Sequence, residues 1–181
     1  LIGARLSYSY SPLIHRELGD YEYDLCETRA DELADRLLSP DYDGFNVTIP
    51  YKKTVMKLCD EVSDEARKIG SVNTVVRTED GKLAGYNTDY FGFKYQLEHN
   101  DIDVEDMKCV VLGDGGVSVT VQAVLHDLHA REVVVISRKG EDNYDNISKH
   151  FDADILVNAT PVGMYPDNGS CLVDITDFKN I

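Results

Sequence analysis

Apolar residues in the first half of the chain switch between helical and strand-like spacing. From Thr28 they recur at helical spacing as far as Leu38, which predicts an amphipathic helix with Thr28 as its N-cap. A second helix is predicted from the cap Ser63 to Ile69, since Gly70 provides a C-terminal stop. Short strands are predicted at residues 21–25, 45–48 and 73–77. This alternation favours an α/β layer with helices packed on a sheet.

The pattern changes in the second half of the chain. A helical stripe at residues 90–97 is followed by a polar stretch at residues 100–106, which predicts a domain boundary. Continuous apolar runs follow, at residues 109–112, 133–136 and 155–157. Such runs are typical of strands buried on both faces of a parallel sheet, and a helix between the first two makes a βαβ unit. The predicted domains are residues 1–100 and residues 101–181.

Composition limits the kinds of partner that the protein binds. Among 181 residues, 33 acidic and 18 basic side chains give a formal net charge of -15, which argues against binding nucleic acid or an anionic membrane surface. No run approaches the ~18 apolar residues of a membrane span, and no signal-like stretch occurs, so we expect a cytoplasmic protein. The cysteines form no Cys-x-x-Cys pair, which indicates free thiols rather than a zinc site or disulfides.

A glycine cluster follows the apolar run at residues 109–112 and opens the next helix. Strand, glycines and helix in this order are typical of a dinucleotide-binding loop, because a pyrophosphate can approach the backbone N–H groups of the helix N-terminus. The cofactor-binding candidates here are Gly113, Asp114, Gly115, Gly116 and Val117. A tight turn without a ligand is the alternative, since Asp114 is negative and Ser118 replaces the third glycine.

The end of the next strand indicates which nucleotide fits. NAD enzymes place an acidic residue there, about twenty residues past the glycines, to bind the ribose hydroxyls. This chain has Ser137, Arg138 and Lys139 instead. An arginine can hold a 2′-phosphate with its forked donors, so NADP is favoured over NAD. An exposed loop arginine is the alternative, and Glu141 and Asp142 reduce the local positive charge.

Lys52 ends the segment GFNVTIPYK, a predicted strand that runs into a helix whose start is marked by Pro50. A cation in the first helical turn opposes the macrodipole, an arrangement suited to a lysine that gives and takes a proton. Taken alone, the segment is better explained by a solvated lysine beside Lys53.

Five motifs occur in order along the chain: Ser9-Tyr10-Ser11-Pro12, residues 46–52, Ile69-Gly70-Ser71-Val72-Asn73-Thr74, Gly85-Tyr86-Asn87-Thr88-Asp89, and Asn158-Ala159-Thr160-Pro161-Val162-Gly163-Met164. Together they resemble the shikimate dehydrogenase family over essentially the whole chain. The resemblance implies a two-domain α/β protein, in which an α/β substrate-binding domain precedes a Rossmann-like NADP-binding domain. It also implies the reversible NADPH-dependent reduction of 3-dehydroshikimate to shikimate, a step of the pathway to aromatic amino acids.

The resemblance assigns roles to individual residues. Lys52 matches the catalytic lysine of the family, and Asp89 matches the aspartate that pairs with it. Lys52 is then expected to give a proton to the ketone oxygen while Asp89 orients the ammonium and binds a substrate hydroxyl. No metal is required. The candidates for holding the substrate carboxylate and ring hydroxyls are Ser9, Ser11, Asn46, Thr48 and Asn73.

Three further cofactor candidates follow from the resemblance: Asn158 and Thr160 at a strand end, and Asp64, which aligns with a position that reaches the cofactor in some relatives. For each alone, an ordinary local hydrogen bond or first-turn charge is the alternative. Ser11 is expected to cap a helix with Pro12 at its first position. Family members continue past a position like Ile181, so the C-terminal part of the cofactor domain is expected to be missing.

Two other functions stay open at this point. A quinate or dual quinate/shikimate dehydrogenase shares the lysine and the aspartate, and only Arg138 argues against it. A catalytically silent NADP-binding sensor is an alternative of another class, which the intact Lys52 and Asp89 disfavour. A monomer and a homodimer are both compatible with the sequence.

Overall fold

The computed structural model describes residues 1–7 and 9–181, which form two compact units, Leu1–Thr88 and Asp89–Ile181. The predicted boundary, between residues 100 and 101, lies one helix later in the chain. The helix Asp89–His99 falls in the second unit, where it packs on the helix Gly116–Asp127. None of the helices in the described ranges has the length and apolar character that crossing a bilayer requires.

The described residues of the first unit form two sheets and four short helices. Its strands are β1 (Ile2–Gly3), β2 (Cys26–Glu27), β3 (Gly44–Asn46), β4 (Glu61–Val62), β5 (Thr74–Arg77) and β6 (Leu83–Tyr86). Its helices are α1 (Ser11–Leu18), α2 (Leu33–Leu38), α3 (Lys52–Met56) and α4 (Asp64–Ile69). β1 pairs with β2, and the second sheet has the order β3-β5-β6-β4. A bridge between Ile2 and Val47 connects the two sheets.

Strand alternation decides which face of the larger sheet is buried in the first unit. Phe45 pairs with Val75 across β3 and β5, and both side chains belong to the core. Their neighbours Asn46 and Thr74 also pair, and alternation places them on the opposite face. The core contains Ile2, Leu33, Leu37, Phe45, Val47, Tyr51, Val55, Ala66, Val72, Val75 and Leu83. One face of the sheet therefore builds the core while the other presents polar side chains.

The second unit is a three-stranded parallel sheet with helices packed on it. Its strands are β7 (Lys108–Leu112), β8 (Glu132–Ile136) and β9 (Ile155–Asn158), in the order β8-β7-β9, and its helices are α5 (Asp89–His99) and α6 (Gly116–Asp127). All five residues of β7 are buried, as expected for a central strand covered on both faces. The chain from β8 to β9 contains a 3-10 helix, Ile147–His150, and no α-helix.

Several predicted boundaries in the first unit are wrong. The strand predicted at residues 21–25 is absent, and β2 begins only at Cys26. Thr28 does not cap α2, because that helix begins five residues later and the Thr28 hydroxyl donates to the Cys26 carbonyl at 2.9 Å. The α4 prediction is confirmed: the Ser63 side chain accepts the Ala66 N–H at 3.2 Å, and Gly70 ends the helix with φ 74°.

Candidate functional site

Lys52 is the first residue of α3, as its segment predicts, but the helix is short. α3 contains five residues, so its macrodipole is weak and does not by itself single out Lys52. Pro50 lies two residues before α3 instead of starting it. Lys52 is half-buried, whereas Lys53 is exposed, and the Lys52 carbonyl accepts the Val72 N–H at 3.0 Å. Packing thus distinguishes the two lysines where the sequence pattern did not.

A hydrogen-bonded network joins two of the substrate candidates, Asn46 and Asn73. The Asn46 amide donates to Thr74 Oγ1 at 3.4 Å, and the Thr74 hydroxyl donates to Asn73 Oδ1 at 3.1 Å. Tyr23 also donates its hydroxyl to Asn46 Oδ1, at 2.7 Å. The antiparallel pairing of β3 with β5 creates this contact, because it sets Asn46 opposite Thr74.

The same network reaches the residue before Asp89. The Asn73 amide donates to Thr88 Oγ1 at 3.0 Å, and Asn73 Oδ1 accepts the Thr88 N–H at 2.9 Å. Asn73 is buried although it is polar, so these bonds fix the orientation of its amide. Sequence reasoning placed Thr74 and Thr88 inside motifs without naming either as a site residue. The available signal was a threonine directly after an asparagine in each motif, Asn73-Thr74 and Asn87-Thr88.

The serine candidates lie at the start of α1, but not as predicted. Ser9 Oγ accepts the Ser11 N–H at 3.2 Å and lies 3.1 Å from Ser11 Oγ, so the two serine hydroxyls are in contact. Ser11 is the first helical residue and Tyr10 occupies the cap position, so the expectation that Ser11 caps the helix is wrong by one residue. The structure brings the two hydroxyls together, which is what holding one carboxylate requires.

Three other candidates occupy simple local positions. Thr48 follows the bridge between β1 and Val47, and its N–H donates to the Ile2 carbonyl at 2.9 Å. Asp64 is the exposed first residue of α4, a position where an acidic side chain stabilises a helix. Asp89 begins α5 in the second unit, as its motif predicts. Because Lys52 belongs to the first unit, the pairing of these two side chains stays a prediction, and mutation tests it.

The carboxyl ends of the three parallel strands align in the second unit. Leu112 of β7 pairs with Ile136 of β8 and with Asn158 of β9. The glycine cluster, the Ser137–Lys139 segment and the turn after Asn158 therefore begin at one edge of the sheet. In open α/β sheets this edge is where ligands bind.

The glycine cluster forms a tight turn into α6. Gly113 has φ 104°, a backbone conformation that favours glycine, and Gly115 is the N-cap residue of α6. A Cβ at Gly115 would have no atom within 4 Å, and as a glycine this N-cap residue has no side chain that could bond the first-turn N–H groups. Ser118, in place of the third glycine, is buried and accepts a hydrogen bond from the Gln122 side chain at 3.1 Å. The N–H groups of the first turn are thus left open to a ligand.

Asn158 and Thr160 form a hydrogen-bonded turn beside the glycine cluster. Asn158 Oδ1 accepts both the N–H and the hydroxyl of Thr160, at 3.0 and 2.7 Å. The Asn158 amide donates to the Val162 carbonyl at 3.0 Å. A Cβ at Gly113 would lie 2.7 Å from Thr160 Cγ2, so the turn and the glycine loop are in direct contact.

The Ser137–Lys139 segment begins a closed loop. Ser137 is buried and its N–H donates to the Asp142 carbonyl at 3.2 Å, while Arg138 and Lys139 are exposed. In the part of the chain that the structure describes, neither of these two cations forms an ion pair. Burial raises the pKa of Tyr144, the nearby Arg138 lowers it, and the nearby Asp114 raises it. Tyr144 therefore lies close to both the cationic loop and the glycine loop.

These features fit a dinucleotide with a 2′-phosphate. The uncapped N-terminus of the twelve-residue α6, with open space at Gly115, suits a pyrophosphate. Arg138 and Lys139 stand at the end of the neighbouring strand, where a second phosphate on the ribose would lie. The second unit therefore offers a group for each charged part of NADP.

Known proteins match the sequences of both units. A family model described as the shikimate dehydrogenase substrate binding domain matches residues 1–75. The shikimate dehydrogenase (NADP(+)) of Clostridium beijerinckii is 41% identical in an alignment 186 positions long, which covers 92% of this chain and 68% of that protein. This chain belongs to the shikimate dehydrogenase family. A second shikimate dehydrogenase (NADP(+)), from Caldicellulosiruptor bescii, is 37% identical and covers 98% of this chain and 70% of its own length.

Solved shikimate dehydrogenases have the same fold. Shikimate dehydrogenase 1 of Peptoclostridium difficile matches with a TM-score of 0.88 at 35% identity, over 96% of this chain and 70% of that one. The Thermus thermophilus enzyme, solved in complex with NADP(H) and shikimate, matches with a TM-score of 0.85 at 31% identity, over 98% of this chain and 73% of that one. The family resemblance and the predicted α/β fold class are confirmed.

Proposed function

We propose that this protein catalyses the reversible NADPH-dependent reduction of 3-dehydroshikimate to shikimate. The observation that carries the proposal is the 41% identity to a shikimate dehydrogenase (NADP(+)) over 92% of the chain. Family membership alone would leave the chemistry open, but the lysine and aspartate that the family uses are both present, at Lys52 and Asp89. The proposed cofactor is NADP, and the protein acts in the shikimate pathway, on the route to chorismate and the aromatic amino acids.

The proton chemistry belongs to Lys52. When bound, NADPH supplies a hydride to the ketone carbon. The Lys52 ammonium gives a proton to the ketone oxygen, and in the reverse direction the amine takes it back. Asp89 orients the ammonium and accepts a hydrogen bond from a substrate hydroxyl. The hydrogen bond from Val72 to the Lys52 carbonyl supports this role, because it fixes the backbone from which the side chain extends.

Substrate binding is assigned to polar side chains of the first unit. The hydroxyls of Ser9 and Ser11 hold the substrate carboxylate, and their 3.1 Å separation suits two donors on one anion. Asn46, Thr48 and Asn73 hold ring hydroxyls. The hydrogen bonds that fix the asparagine amides support this assignment, since a fixed donor loses less entropy on binding than a mobile one.

Cofactor binding is assigned mainly to the second unit. The glycine loop would hold the pyrophosphate, Arg138 and Lys139 would hold the 2′-phosphate, and the strand ends would supply the remaining contacts. The full assignment comprises Gly113, Asp114, Gly115, Gly116, Val117, Ser137, Arg138, Lys139, Asn158, Thr160 and, from the first unit, Asp64. The protein is proposed to work in the cytoplasm as a monomer or a homodimer.

A steady-state assay with four substrate pairs tests the proposal. Shikimate and quinate are each oxidised with NADP and with NAD, and kcat/KM is measured for every pair. The proposal predicts the highest value for shikimate with NADP. A higher value for quinate with NAD would reverse the assignment, and NADP binding without any turnover would indicate a silent cofactor-binding protein.

A further inference from the structure

Thr74 lies at the centre of the hydrogen-bonded network of the first unit, although the proposed function assigns it no role. It is the first residue of β5, and its half-buried side chain is on the face of the sheet that points away from the core. The pairing of β5 with β3 sets it opposite Asn46, and Asn73 directly precedes it. Its hydroxyl therefore lies between two side chains that are assigned to substrate binding.

The direction of each hydrogen bond at Thr74 is fixed by the chemistry of its partners. A hydroxyl has one proton to donate and two lone pairs that accept, whereas a side-chain amide nitrogen only donates and an amide oxygen only accepts. Asn46 Nδ2 lies 3.4 Å from Thr74 Oγ1, so the threonine accepts there. Its one hydroxyl proton goes to Asn73 Oδ1, at 3.1 Å. Thr74 thus accepts from one asparagine and donates to the other.

Both amides are also held on their far sides. Tyr23 donates its hydroxyl to Asn46 Oδ1 at 2.7 Å. The Asn73 amide donates to Thr88 Oγ1 at 3.0 Å, and Asn73 Oδ1 accepts the Thr88 N–H at 2.9 Å. Among the described residues, Thr74 alone bonds to both asparagine amides. It is therefore the link that couples the two halves of the network.

These bonds determine what Asn73 can offer a substrate. Its Oδ1 has two lone pairs, and the Thr74 hydroxyl and the Thr88 N–H occupy them. One of its two amide protons is bonded to Thr88 Oγ1. Asn73 therefore faces a substrate with a single N–H, which suits an oxygen acceptor such as a ring hydroxyl. Without the Thr74 hydroxyl, the Asn73 oxygen loses a donor and the Asn46 amide loses an acceptor.

We propose that Thr74 is a positioning residue for substrate binding: its hydroxyl locks the amides of Asn46 and Asn73 in the orientations that meet the ring hydroxyls. The inference rests on the proposed function, which assigns both asparagines to the substrate, and it adds a residue that acts only through them. A locked amide loses less entropy when the substrate binds, so the effect falls on substrate affinity. The proton transfer assigned to Lys52 does not depend on it.

Steady-state kinetics of shikimate oxidation tests the inference. Thr74→Val removes the hydroxyl, keeps the branched shape of the side chain and suits a strand. It is expected to raise the KM for shikimate by about 3- to 10-fold, while the KM for NADP and kcat stay within about twofold. Thr74→Ser keeps the hydroxyl and should have the KM of the unmodified protein. Thr78→Val makes the same chemical change just after β5 ends, where the hydroxyl bonds to Asp80, and as the matched control should leave KM unchanged.

A double-mutant cycle separates positioning from a general role in the fold. In an Asn73→Ala background, Thr74→Val should raise the KM for shikimate less than it does alone, because one of its two partners is already gone. Increases that simply multiply, an equal rise of both KM values, or a Thr74→Ser variant as weak as Thr74→Val would overturn the inference. If Thr74→Val does not fold, Thr74→Ala replaces it with the same expectations, and failure of both to fold would show a structural role and overturn the inference as well.

The inference and the proposed function fail in different ways. Shikimate turnover by the unmodified protein, together with an unchanged KM for shikimate in Thr74→Val, overturns the inference alone. Absence of shikimate turnover by the unmodified protein overturns the proposed function, and with it the inference that rests on it.

Discussion

The Gly113→Ala substitution tests the account of the glycine loop. Gly113 has φ 104°, and an added Cβ would lie 2.7 Å from Thr160 Cγ2 and 3.3 Å from the Ala159 carbonyl oxygen. The backbone strain costs about 1–3 kcal/mol. Displacing the neighbouring turn adds a cost of about 1–3 kcal/mol, as overpacking does elsewhere. We therefore expect Gly113→Ala to lower the free energy of unfolding by about 2–6 kcal/mol.

Gly115→Ala is the matched control in the same loop. Gly115 has φ -77° and ψ -171°, which any residue adopts, and a Cβ there would meet no atom within 4 Å. Alanine is a poorer N-cap than glycine, so the stability cost is about 0.5–1 kcal/mol. The same Cβ would occupy the space through which a pyrophosphate approaches the helix N-terminus. We therefore expect NADP binding to weaken by about tenfold or more, or about 1.4 kcal/mol.

Two measurements separate these effects. Urea unfolding gives the free energy of unfolding, and isothermal titration gives Kd for NADP. Gly113→Ala unfolding at the same urea concentration as the unmodified protein would refute the strain and contact argument. Unchanged NADP affinity in Gly115→Ala would refute the placement of the pyrophosphate at this loop.

Three further predictions follow from single contacts. Ser71 Oγ is fully buried without a hydrogen-bond partner among the described residues, so Ser71→Ala should raise the free energy of unfolding by about 1 kcal/mol, as measured by thermal unfolding. Ser63→Ala removes the cap of α4 and should lower the same free energy by about 1 kcal/mol. Arg138→Asp should raise the KM for NADP far more than for NAD, and an equal rise would exclude a 2′-phosphate clamp. The pKa of Asp152 is lowered, chiefly by a hydrogen bond from Lys108, so its contribution to stability is present above the ordinary value of 3.8 and is lost as pH falls through the lowered pKa. Asp152→Asn should therefore weaken the dependence of stability on pH in this acidic range, and an unchanged acid-unfolding curve would contradict it.

Sequence patterns located elements where an apolar run is unbroken or where a helix cap is explicit. The strands of the second unit were predicted from unbroken apolar runs, and the structure buries every residue of β7; α4 was predicted because Ser63 and Gly70 mark its ends. β1, β2 and β4 have two residues each, which is too few to show a period of two. The domain boundary was predicted after residue 100 because of the polar stretch there. The structure instead groups α5 with α6, and the Tyr90 hydroxyl of α5 donates to Asp127 Oδ2 of α6 at 2.8 Å.

The sequence named the candidate site residues one by one, but it did not show the hydrogen-bonded network that joins some of them. Asn46 and Asn73 lie 27 positions apart along the chain, and only the pairing of β3 with β5 shows that Thr74 connects them. The position of His150 Nε2, 3.1 Å from Asp142 Oδ1, could not be predicted either, because it depends on the path of the irregular crossover from β8 to β9. Motifs identify the chemistry that a residue type can perform. Strand register and loop closure decide which side chains act together.

The concerted action of Lys52 and Asp89 on one substrate is the central claim, and a kinetic double-mutant cycle tests it most directly. The turnover number kcat for shikimate oxidation is measured for Lys52→Ala, Asp89→Asn and the double variant, with the exposed Lys53→Ala as control. Lys52→Ala should lower kcat by about 10²- to 10⁴-fold, and the double variant should be little worse, because groups that act as a unit are not additive. Lys53→Ala should leave kcat unchanged. Near-normal turnover in Lys52→Ala, or losses that simply multiply in the double variant, would contradict the claim.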